Sequence, residues 1–504
     1  MFPIEFFWRS VQRNPDRIAV IHPGGTLDFR TLAARVLRCA GRLVTLDPGL
    51  GSFVLVGAGD SLDHLVTILG VLAAGKVWIP LNPRNGDPEL ERIVEFVGGG
   101  LVMADHAMAL RLAGCGRPVH PIGEDRSGED AIGSVPMGPT PRLAIPLDRP
   151  QAIKFTGGTT GAPKGVLQPL RTWNTNILNH LHHMRYTPDD RYLVAAALTH
   201  GTSTYMLPIL ASGGTIVFPA TPRADGLLDA IAAHRATVFF APPTLLLSLA
   251  EAQRRQPRDL ASLRCVVYGG GPMRPEQIRD VQSILGPVVA TCYGQTEASQ
   301  MIAYLPPEEM TGDNLASVGR PTFMTQVTIA GPGGTVLGPG ETGEIAVRGD
   351  LVMSGYFRAE EETRRVFADG WLRTGDSGRL DERGYLFLGD RIRDVIITGG
   401  FNVYPSDVET VLARYPAVLD AAVVGVPDAK WGEAVHAAVQ LRAGHSLDAP
   451  DLLAFVKRDL GSVKTPKELH VFAELPRSPV GKVLKSAIRT EILRRRAADG
   501  PACP

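Results

Sequence analysis

Short apolar runs and amphipathic stretches alternate along the N-terminal part of the chain. Residues 53–57 are an apolar run that predicts a buried strand, and residues 62–74 carry apolar positions at the spacing of a helix. A second apolar run at residues 77–79 predicts another strand. A strand, a helix and a strand in this order predict a right-handed crossover, and therefore a parallel sheet.

The same alternation continues towards the middle of the chain, so the predicted fold class is α/β. Further strands, with helical stretches between them, are predicted at residues 192–196, 215–218, 237–240, 263–268 and 287–292. Ligands of such sheets lie in the crevice outside the carboxyl ends of the strands. Three segments follow predicted strands and are therefore candidate site segments: residues 199–201, 269–272 and 293–297.

After residue 311 the pattern changes to short strands separated by glycine turns. Residues 326–330 and 343–348 are such strands, and they predict a small antiparallel β unit. Beyond this unit an alternating pattern begins again, with an amphipathic stretch at residues 451–460, and it predicts a separate α+β domain of about a hundred residues. We therefore expect an N-terminal domain over residues 1–390 and a C-terminal domain over residues 391–504.

The composition favours a small-molecule partner. With 504 residues, the chain is long enough for more than one hydrophobic core. Lys and Arg together number 52, as do Asp and Glu, so no net positive charge points to nucleic acid and no acidic excess points to disorder. We expect a multidomain protein without a nucleic-acid partner, and the sequence pattern leaves its oligomeric state open.

The cysteines and the N-terminus fit a cytoplasmic location. Residues 1–10 contain Glu5 within their apolar part and no long apolar core, so they do not resemble a signal peptide. No apolar run approaches the ~20 residues that span a bilayer. The cysteines form no C-x-x-C pair and indicate neither a disulfide framework nor a zinc site; they are Cys39, Cys115, Cys265, Cys292 and Cys503.

The segment at residues 156–165, TGGTTGAPKG, has the residues of a phosphate-binding loop. Its backbone N–H groups, its threonine hydroxyls and the charge of Lys164 suit a polyphosphate. A Walker loop is excluded because Lys164 lies between Pro163 and Gly165, and the dinucleotide pattern G-x-G-x-x-G is absent. The alternative is a glycine- and threonine-rich surface turn.

Three later motifs are weak signals when each is taken alone. Residues 293–297, YGQTE, combine an aromatic ring, a hydroxyl and a carboxylate that suit a base, a phosphate and a cation, or form a strand end with a capping threonine. Asp376 follows a predicted tight turn and could accept the two hydroxyls of a ribose, or form a simple Asp turn. Lys482 follows Gly481 on a predicted loop, where a solvated surface lysine is the alternative.

The joint order of these motifs resembles that of the adenylate-forming superfamily, which includes acyl-CoA synthetases, luciferases and carrier-loading adenylation domains. The motifs span nearly the whole chain, at residues 156–165, 293–297, 374–376, 389–405 and 481–482. The resemblance implies an N-terminal domain of two α/β sheet subdomains plus a small β unit, and a mobile C-terminal α+β lid domain. It also implies an AMP-forming carboxylate–CoA ligase that uses ATP, Mg²⁺ and coenzyme A with a small-molecule carboxylic acid.

The resemblance also assigns roles to individual residues. In the adenylation step it implies that Glu297 holds Mg²⁺ and that Lys482 reaches the carboxylate and the bridging oxygen. Charge on the α-phosphate grows in this step, and Mg²⁺ with a lysine is suited to neutralise it. The other implied contacts are Thr156, Gly157, Gly158, Thr159, Thr160, Gly161 and Lys164 with the β- and γ-phosphates, Thr160 with the metal, Thr296 with the α-phosphate, Tyr293 with adenine, Gly270, Gly271, Pro272 and Gly294 around the nucleotide, and Asp376 and Arg391 with the ribose.

For the second step, the resemblance implies that Gly399, Gly400 and Phe401 border the tunnel of the pantetheine arm once the lid has rotated about Arg393. Coenzyme A is the expected acceptor because no carrier domain follows Lys482. An acyl carrier protein or an amine is the alternative acceptor. The chain departs from the commoner family pattern at three positions: Gly157 in place of serine, Val480 in place of serine or threonine, and Arg393 in place of aspartate or lysine.

The candidate residues of the acyl pocket are chosen only by their positions in the sequence. A triple glycine at residues 269–271 with mostly apolar neighbours predicts a roomy pocket that has no dedicated cation for a second carboxylate. We therefore expect a hydrophobic or aromatic monocarboxylic acid. His200 is either a catalytic residue or a pocket histidine with satisfied hydrogen bonds. The other candidates are Thr202, Tyr205, Phe239 and Phe240.

Other classes of function have little support. Positions two apart on a helix do not share a face, and no carboxylate or cysteine is suitably placed, which argues against a metal site at His180, His182 and His183. Residues 201–205 miss the hydrolase elbow because the fifth residue is Tyr205. A non-catalytic acyl- or nucleotide-binding protein is the remaining alternative. Five retained charged residues favour the enzyme: Lys164, Glu297, Asp376, Arg391 and Lys482.

Overall fold

The structure is a computed structural model that describes residues 2–123, 146–156, 163–391, 394–398, 401–428, 431–478 and 481–498. The chain divides into two compact units. The first unit contains Met1–Val327, Ala346–Arg373 and Gly384–Leu386, and the second contains Thr328–Ile345, Thr374–Arg383 and Phe387–Pro504. Among the described residues, no helix is both long enough and apolar enough to cross a membrane.

Most strands of the described chain are short, and β20, β24 and β25 are the longer ones. In chain order they are β1 (Ile18–His22), β2 (Gly25–Asp28), β3 (Phe53–Gly57), β4 (Val77–Leu81), β5 (Leu101–Ala104), β6 (Val119–Pro121), β7 (Pro150–Thr156), β8 (Lys164–Pro169), β9 (Arg191–Leu193), β10 (Thr215–Val217), β11 (Val238–Ala241), β12 (Cys265–Tyr268), β13 (Val289–Tyr293), β14 (Ala303–Leu305), β15 (Arg320–Pro321), β16 (Gln326–Ala330), β17 (Gly343–Arg348), β18 (Gly355–Tyr356), β19 (Phe367–Ala368), β20 (Trp371–Leu380), β21 (Leu386–Arg391), β22 (Ile396–Thr398), β23 (Phe401–Val403), β24 (Val418–Asp428), β25 (Gly432–Leu441) and β26 (Glu468–Val471).

The helices alternate with these strands. They are α1 (Pro3–Arg13), α2 (Phe29–Leu46), α3 (Leu62–Ala73), α4 (Asp87–Val97), α5 (His106–Arg111), α6 (Leu170–Met184), α7 (Ser203–Ala211), α8 (Ala224–His234), α9 (Pro243–Arg255), α10 (Pro275–Leu285), α11 (Glu360–Val366), α12 (Pro405–Leu412), α13 (Ala449–Lys464) and α14 (Lys485–Ala498). Short 3-10 helices lie at Pro307–Glu309, Gly312–Ala316 and Pro332–Gly334.

A seven-stranded sheet carries the segment that precedes the predicted phosphate loop. Its strand order is β18-β8-β7-β4-β3-β5-β6. Strand β3 pairs in parallel with β4 and β5, and α3 connects β3 to β4, so the predicted strand–helix–strand unit and its parallel pairing are confirmed. Ser61 Oγ accepts a hydrogen bond from the His64 N–H and caps the first turn of α3. Strands β7, β8 and β18 pair antiparallel and form one edge of the sheet.

A nine-stranded sheet contains the other candidate segments of the first unit. Its order is β15-β14-β13-β12-β11-β9-β10-β1-β2, and the strands from β1 to β13 along this path pair in parallel. The parallel strands β9 to β13 were all expected from their apolar runs. Because their carboxyl ends lie at one edge, the segments after β9, β12 and β13 meet there.

One hydrophobic core joins the two sheets of the first unit. It includes Val54 and Trp78 from the seven-stranded sheet and Tyr192 and Val267 from the nine-stranded sheet. Helix α1 adds Phe7, which is fully buried. A second core, with Leu55 and Ile153 among its members, covers the other face of the seven-stranded sheet. Both faces of that sheet are therefore buried, as is usual for a parallel sheet.

The predicted small β unit is a five-stranded sheet with the order β16-β17-β20-β19, and β21 pairs with β20. Strands β19 and β20 pair antiparallel. The expected tight turn at residues 374–376 is wrong, because these residues lie inside the ten-residue strand β20. Gly375 has a φ of 72° within this strand, a conformation that glycine adopts without strain.

The C-terminal part of the second unit has the α+β composition expected from the sequence. Its sheet has the order β23-β22-β25-β24, and β26 pairs in parallel with β25. Strands β24 and β25 form a long antiparallel hairpin. Val423 and Val439 pack with α12 and α13 on one face, and Val424 and Ile492 of α14 pack on the other.

Candidate active site

The predicted phosphate loop lies between two paired strands. In the antiparallel ladder of β7 and β8, Thr156 pairs with Lys164 and Phe155 with Gly165. Residues 157–162 lie outside the described residues, so Gly157, Gly158, Thr159, Thr160 and Gly161 are not placed. The ladder fixes the first and last polar residues of the motif, Thr156 and Lys164, opposite one another at the edge of the sheet.

Tyr356 brings Lys164 and Glu297 together. The Lys164 Nζ lies 5.5 Å from the centroid of the Tyr356 ring, within the range of a cation–π contact. The Tyr356 hydroxyl donates a hydrogen bond of 2.9 Å to Glu297 Oε1. Two residues predicted from separate motifs therefore contact one side chain, Lys164 at the Tyr356 ring and Glu297 at the Tyr356 hydroxyl. Tyr356 itself was not predicted from the sequence.

Strand β8 also supports the segment that carries Thr296 and Glu297. Gln168 Nε2 donates to the backbone carbonyl of Thr296 at 2.9 Å. The Met353 N–H donates to the carbonyl of Glu297 at 2.8 Å. Strand β18, which carries Tyr356, pairs with β8 at Val166. The phosphate-loop strand, the Tyr356 strand and residues 296–297 are thus linked by hydrogen bonds through β8.

The bend after Tyr293 requires a glycine. A Cβ atom at Gly294 would lie 2.3 Å from the backbone carbon and oxygen of Gln300, closer than any allowed contact. Gln300 has a φ of 58°, and its side chain accepts a hydrogen bond of 2.7 Å from Thr204 Oγ1. Tyr293 is the last residue of β13 and is largely buried. The segment therefore folds back tightly and presents Thr296 and Glu297 beyond its bend.

Glycines also shape the segment after β12. A Cβ at Gly269 would lie 3.0 Å from the Phe240 ring and 3.1 Å from the carbonyl oxygen of Cys292. Gly270 has a φ of 78° and faces open space, and a Cβ at Gly271 would meet only Pro243, at 3.6 Å. Pro272 follows directly. Gly270 and Pro272 are exposed, and the predicted roomy pocket stays a prediction.

His200 lies in the segment after β9, at the same edge of the sheet. Its Nδ1 lies 2.9 Å from Thr199 Oγ1, and its backbone carbonyl accepts a hydrogen bond of 2.6 Å from Ser203 Oγ. The ring reaches solvent, yet the surrounding protein removes enough hydration to lower its pKa to about 4, and the charges of Lys154 and Arg84 add to this shift. His200 is therefore neutral at pH 7.

Three of the expected acyl-pocket residues belong to the core instead. Thr202, Tyr205 and Phe239 are fully buried. Tyr205 stacks on Tyr192 with ring centroids 5.2 Å apart and packs against the Phe240 ring. Phe240 is buried as well and belongs to the same core cluster as Tyr205, and a Cβ at Gly201 would approach its ring to 2.7 Å. Position after a strand did not reveal which side chains point inwards.

Lys154 is a functional candidate that sequence reasoning missed. It lies on β7, two residues before Thr156, and its Nζ donates to Ser203 Oγ at 2.7 Å. Burial lowers its pKa to about 7. The sequence feature that could have identified Lys154 is the presence of a lysine within the apolar run of residues 151–155.

The remaining predicted site residues belong to the second unit. The Asp376 N–H bonds to Thr374 Oγ1 at 3.2 Å, and the Gly375 N–H bonds to Glu344 Oε1 at 3.1 Å. Phe401 is exposed on β23, where it pairs with Thr398. Gly399, Gly400, Arg393 and Val480, together with the side chain of Arg391, lie outside the described residues.

Lys482 is exposed on a short antiparallel turn. Arg477 and Val483 pair across this turn, and the Ser478 N–H donates to the carbonyl of Lys482 at 2.7 Å. Gly481 has a φ of 83°, which closes the turn. The turn agrees with the predicted loop that presents a lysine.

Two protein-family models match this chain. The model of the AMP-binding enzyme family matches residues 7–357, and that of the AMP-binding enzyme C-terminal domain matches residues 407–482. The chain belongs to the AMP-binding enzyme family. This membership confirms the resemblance drawn from the motif order.

Three known proteins illustrate the similarity. A feruloyl-CoA synthase from Amycolatopsis sp is 34% identical over 486 residues, which cover 95% of this chain and 97% of that protein. An indoleacetate–CoA ligase from Aromatoleum aromaticum is 33% identical, with 97% of this chain and 98% of that protein covered. The structure of the amide bond synthetase McbA from Marinactinospora thermotolerans matches with a TM-score of 0.88 at 32% identity, covering 97% of this chain and 99% of that one.

Proposed function

We propose that this chain is an AMP-forming carboxylate–CoA ligase that activates an aromatic or hydrophobic monocarboxylic acid. Membership of the AMP-binding family and the similarity to CoA ligases over nearly the full length support this assignment. Within the structure, the contact of Lys164 and Glu297 with the one Tyr356 side chain carries the proposal. A cation and a carboxylate that share one tyrosine, beside the strand ends that flank the phosphate-binding motif, suit a magnesium-bound polyphosphate.

The chemistry explains why such a site is needed. A carboxylate is a poor electrophile because its charge repels nucleophiles. In the first step its oxygen attacks the α-phosphorus of ATP, the bond to the bridging oxygen breaks, and pyrophosphate leaves. In the second step the thiolate of coenzyme A attacks the acyl carbon, and AMP leaves. The first step therefore supplies the leaving group that the free acid lacks, and the second step expels it.

The residues of the first unit fit distinct roles in the adenylation step. Lys164 would hold the outgoing phosphates, Thr296 would bind the α-phosphate, and Glu297 would hold Mg²⁺, which supplies positive charge against the growing phosphate charge. Tyr356 would fix the direction of the Glu297 carboxylate. The low pKa of His200 suits a neutral pocket residue that donates or accepts a hydrogen bond, since its ring lacks the second proton of an imidazolium acid at pH 7.

The second unit would supply the remaining groups. We propose the division at residues 390 and 391, with Asp376 and Arg391 on the ribose hydroxyls and Lys482 on the carboxylate and the bridging oxygen. The exposure of Lys482, next to the bridge between Arg477 and Val483, supports this role. Gly399, Gly400 and Phe401 would border the path of the pantetheine arm.

The similar proteins favour one class of acid substrate and support one alternative acceptor of the acyl group. Feruloyl and indoleacetate groups are both aromatic, which favours an aryl acid for this chain. The similarity to an amide bond synthetase favours an amine as the alternative acceptor of the acyl group. The two acceptors share the adenylation step and differ only in the nucleophile that attacks the acyl carbon.

The decisive experiment measures both half-reactions. The protein is incubated with ATP, Mg²⁺ and a panel of ferulate, indoleacetate and medium-chain fatty acids, with coenzyme A, with amines or with neither. Pyrophosphate release with thioester formation is the expected result. Release without thioester but with amide would replace the ligase by an amide synthetase, and no release with any acid would overturn the enzyme assignment.

Lys482→Ala tests the catalytic lysine. Losing one charge-matched donor lowers the rate of such a step by about 100-fold or more, so ATP–pyrophosphate exchange should fall by that factor. Lys457→Ala is the matched control, because Lys457 is an exposed lysine of the same unit on α13. Equal exchange rates in the two variants would rule out the role of Lys482.

A further inference from the structure

Two histidines and a glutamate meet on one face of the C-terminal sheet. His436 lies on β25, and Glu468 and His470 lie on β26, which pairs with it in parallel. In the register of this pair, His436 lies opposite Glu468 and Ala438 lies opposite His470. Residues two apart on a strand point to the same face, so all three side chains project from one side of the sheet.

The three ligand atoms form a compact triangle. His436 Nδ1 lies 3.0 Å from His470 Nε2. Glu468 Oε2 lies 3.7 Å from His436 Nδ1 and 3.6 Å from His470 Nε2. Two ligands bound tetrahedrally at the usual zinc distances are about 3.3 Å apart. The observed separations bracket this value, so small side-chain movements would place all three atoms around one ion.

The three side chains differ in exposure, and this difference leaves one side of the triangle open to solvent. The side chain of His436 is 1% exposed, that of His470 is 11% exposed, and that of Glu468 is 44% exposed. The two imidazoles therefore form the floor of the cluster and the carboxylate forms its solvent-facing rim. An ion could enter from the solvent side and keep one coordination position for water.

We propose that His436 Nδ1, His470 Nε2 and Glu468 Oε2 form a binding site for a divalent transition-metal ion, with Zn²⁺ as the best match. Imidazole nitrogen with carboxylate oxygen suits zinc, whereas Mg²⁺ prefers oxygen ligands alone. The site is therefore chemically distinct from a magnesium site at Glu297. A bound ion would tie β26 to β25 through side chains in addition to the backbone ladder.

The groups around the triangle are compatible with this role. Arg496 Nε lies 3.9 Å from Glu468 Oε1, the oxygen that does not face the imidazoles. The neighbouring Arg495 packs over the Phe472 ring at 4.4 Å and donates to the carbonyl of Val471. In the metal-free protein a hydrogen bond joins the two imidazoles, and binding of the ion would replace it.

Zinc titration of the full chain tests the proposal. The protein is stripped with a chelator, dialysed and titrated with Zn²⁺, and binding is followed by calorimetry and by the melting temperature. One ion per chain and a rise in melting temperature are expected. The visible absorption of Co²⁺ in place of Zn²⁺ should show a four-coordinate site with nitrogen and oxygen ligands. Failure to bind one Zn²⁺ per chain would overturn the proposal.

Two variants locate the ion. Glu468→Gln and His470→Gln should each weaken Zn²⁺ binding by about tenfold or more and abolish the metal-dependent rise in melting temperature. The exposed Glu468 makes the first variant the safer one for folding. His445→Gln, at an exposed histidine of the same unit, is the control and should bind as the unmodified protein does. Undiminished binding by both ligand variants would place the ion elsewhere and refute the site.

Discussion

Lys154 Nζ donates a hydrogen bond of 2.7 Å to Ser203 Oγ inside the core of the first unit. The ammonium group also lies 5.3 Å from the Trp78 ring and 5.7 Å from the Trp173 ring. Ser203 Oγ in turn donates to the carbonyl of His200. A buried lysine on the phosphate-loop strand is thus linked, through one serine, to the segment that carries the pocket histidine.

The pH dependence of stability tests the state of Lys154. Burial lowers its pKa from 10.5 to about 7 in the folded protein, so above pH 7 the unfolded chain binds more protons than the folded one. The stability of the folded state should therefore rise with pH from about 7 towards 10, by up to about 1.4 kcal/mol per pH unit from this group. In Lys154→Met this part of the slope should vanish.

Urea unfolding followed by tryptophan fluorescence measures this difference, since Trp78 and Trp173 flank the lysine. Ser203 Oγ keeps its bond to His200 in the variant, so no buried hydroxyl loses its only partner. Identical slopes in the two proteins between pH 7 and 9 would show that Lys154 stays protonated in the fold.

Tyr356→Phe tests the support of Glu297. The variant keeps the ring against Lys164 but removes the hydroxyl that bonds to Glu297 Oε1. A hydrogen bond to a charged group contributes about 1.5–3 kcal/mol, so ATP–pyrophosphate exchange at limiting Mg²⁺ should fall roughly tenfold or more. Tyr385→Phe is the matched control, because its hydroxyl donates to Glu309 Oε2 at 2.6 Å. Equal losses in both variants would mean that the effect is on stability alone.

Gly294→Ala tests the bend after Tyr293. The added methyl group would meet the backbone of Gln300 at 2.3 Å, so the segment that presents Glu297 must shift. We expect nucleotide binding and exchange to fall by about tenfold or more, because misplaced groups lose transition-state contacts. Gly41→Ala, in helix α2 with no atom within 4 Å of the new Cβ, should keep activity and raise stability slightly. Normal ATP binding by Gly294→Ala would contradict the steric argument.

Asp190→Asn tests the ion pair between the buried Asp190 carboxylate and the more exposed Arg264, next to the nine-stranded sheet. Burial alone would raise the pKa of Asp190, but its bonds to Arg264, Thr187 and Thr237 hold the pKa below its usual value. Removing the charge should lower the free energy of unfolding by about 2–3 kcal/mol at pH 7. Thermal unfolding measures this effect.

The neighbouring residue provides the control for this ion pair. Asp189 is 90% exposed and pairs with Arg17, so Asp189→Asn should change stability by less than about 0.5 kcal/mol. The effect of Asp190→Asn should also shrink as the pH falls, since protonation of Asp190 in the unmodified protein removes the same charge. A constant difference down to pH 3 would exclude the carboxylate as its source.

The sequence predicted most of the strands and helices whose apolar positions form a clear pattern. Strands β3 and β4 and helix α3 lie where their apolar positions indicated, because buried parallel strands are continuous apolar runs. The turn predicted at residues 374–376 was wrong, since a glycine with positive φ occurs within a strand as well as in a turn. A local pattern does not distinguish the two.

The candidate site was predictable in part. Lys164 and Glu297 were found by motif order, and the structure brings both to one ring. Tyr356 was missed because it joins them from a segment about 60 residues beyond Glu297, and its hydroxyl contact exists only in three dimensions. Tyr205 was misassigned because a position after a strand does not reveal whether a side chain faces the crevice or the core.

Glu297 is held at two points, by the Met353 N–H on its carbonyl and by the Tyr356 hydroxyl on its carboxylate. The rotational freedom of this side chain is therefore lost when the protein folds and not when a ligand arrives. A long, flexible carboxylate would otherwise cost up to about 1–2 kcal/mol of conformational entropy at each binding event. A cation that binds Glu297 therefore encounters a carboxylate that is already oriented. The loss of side-chain conformational entropy has occurred during folding and does not weaken the binding of the cation.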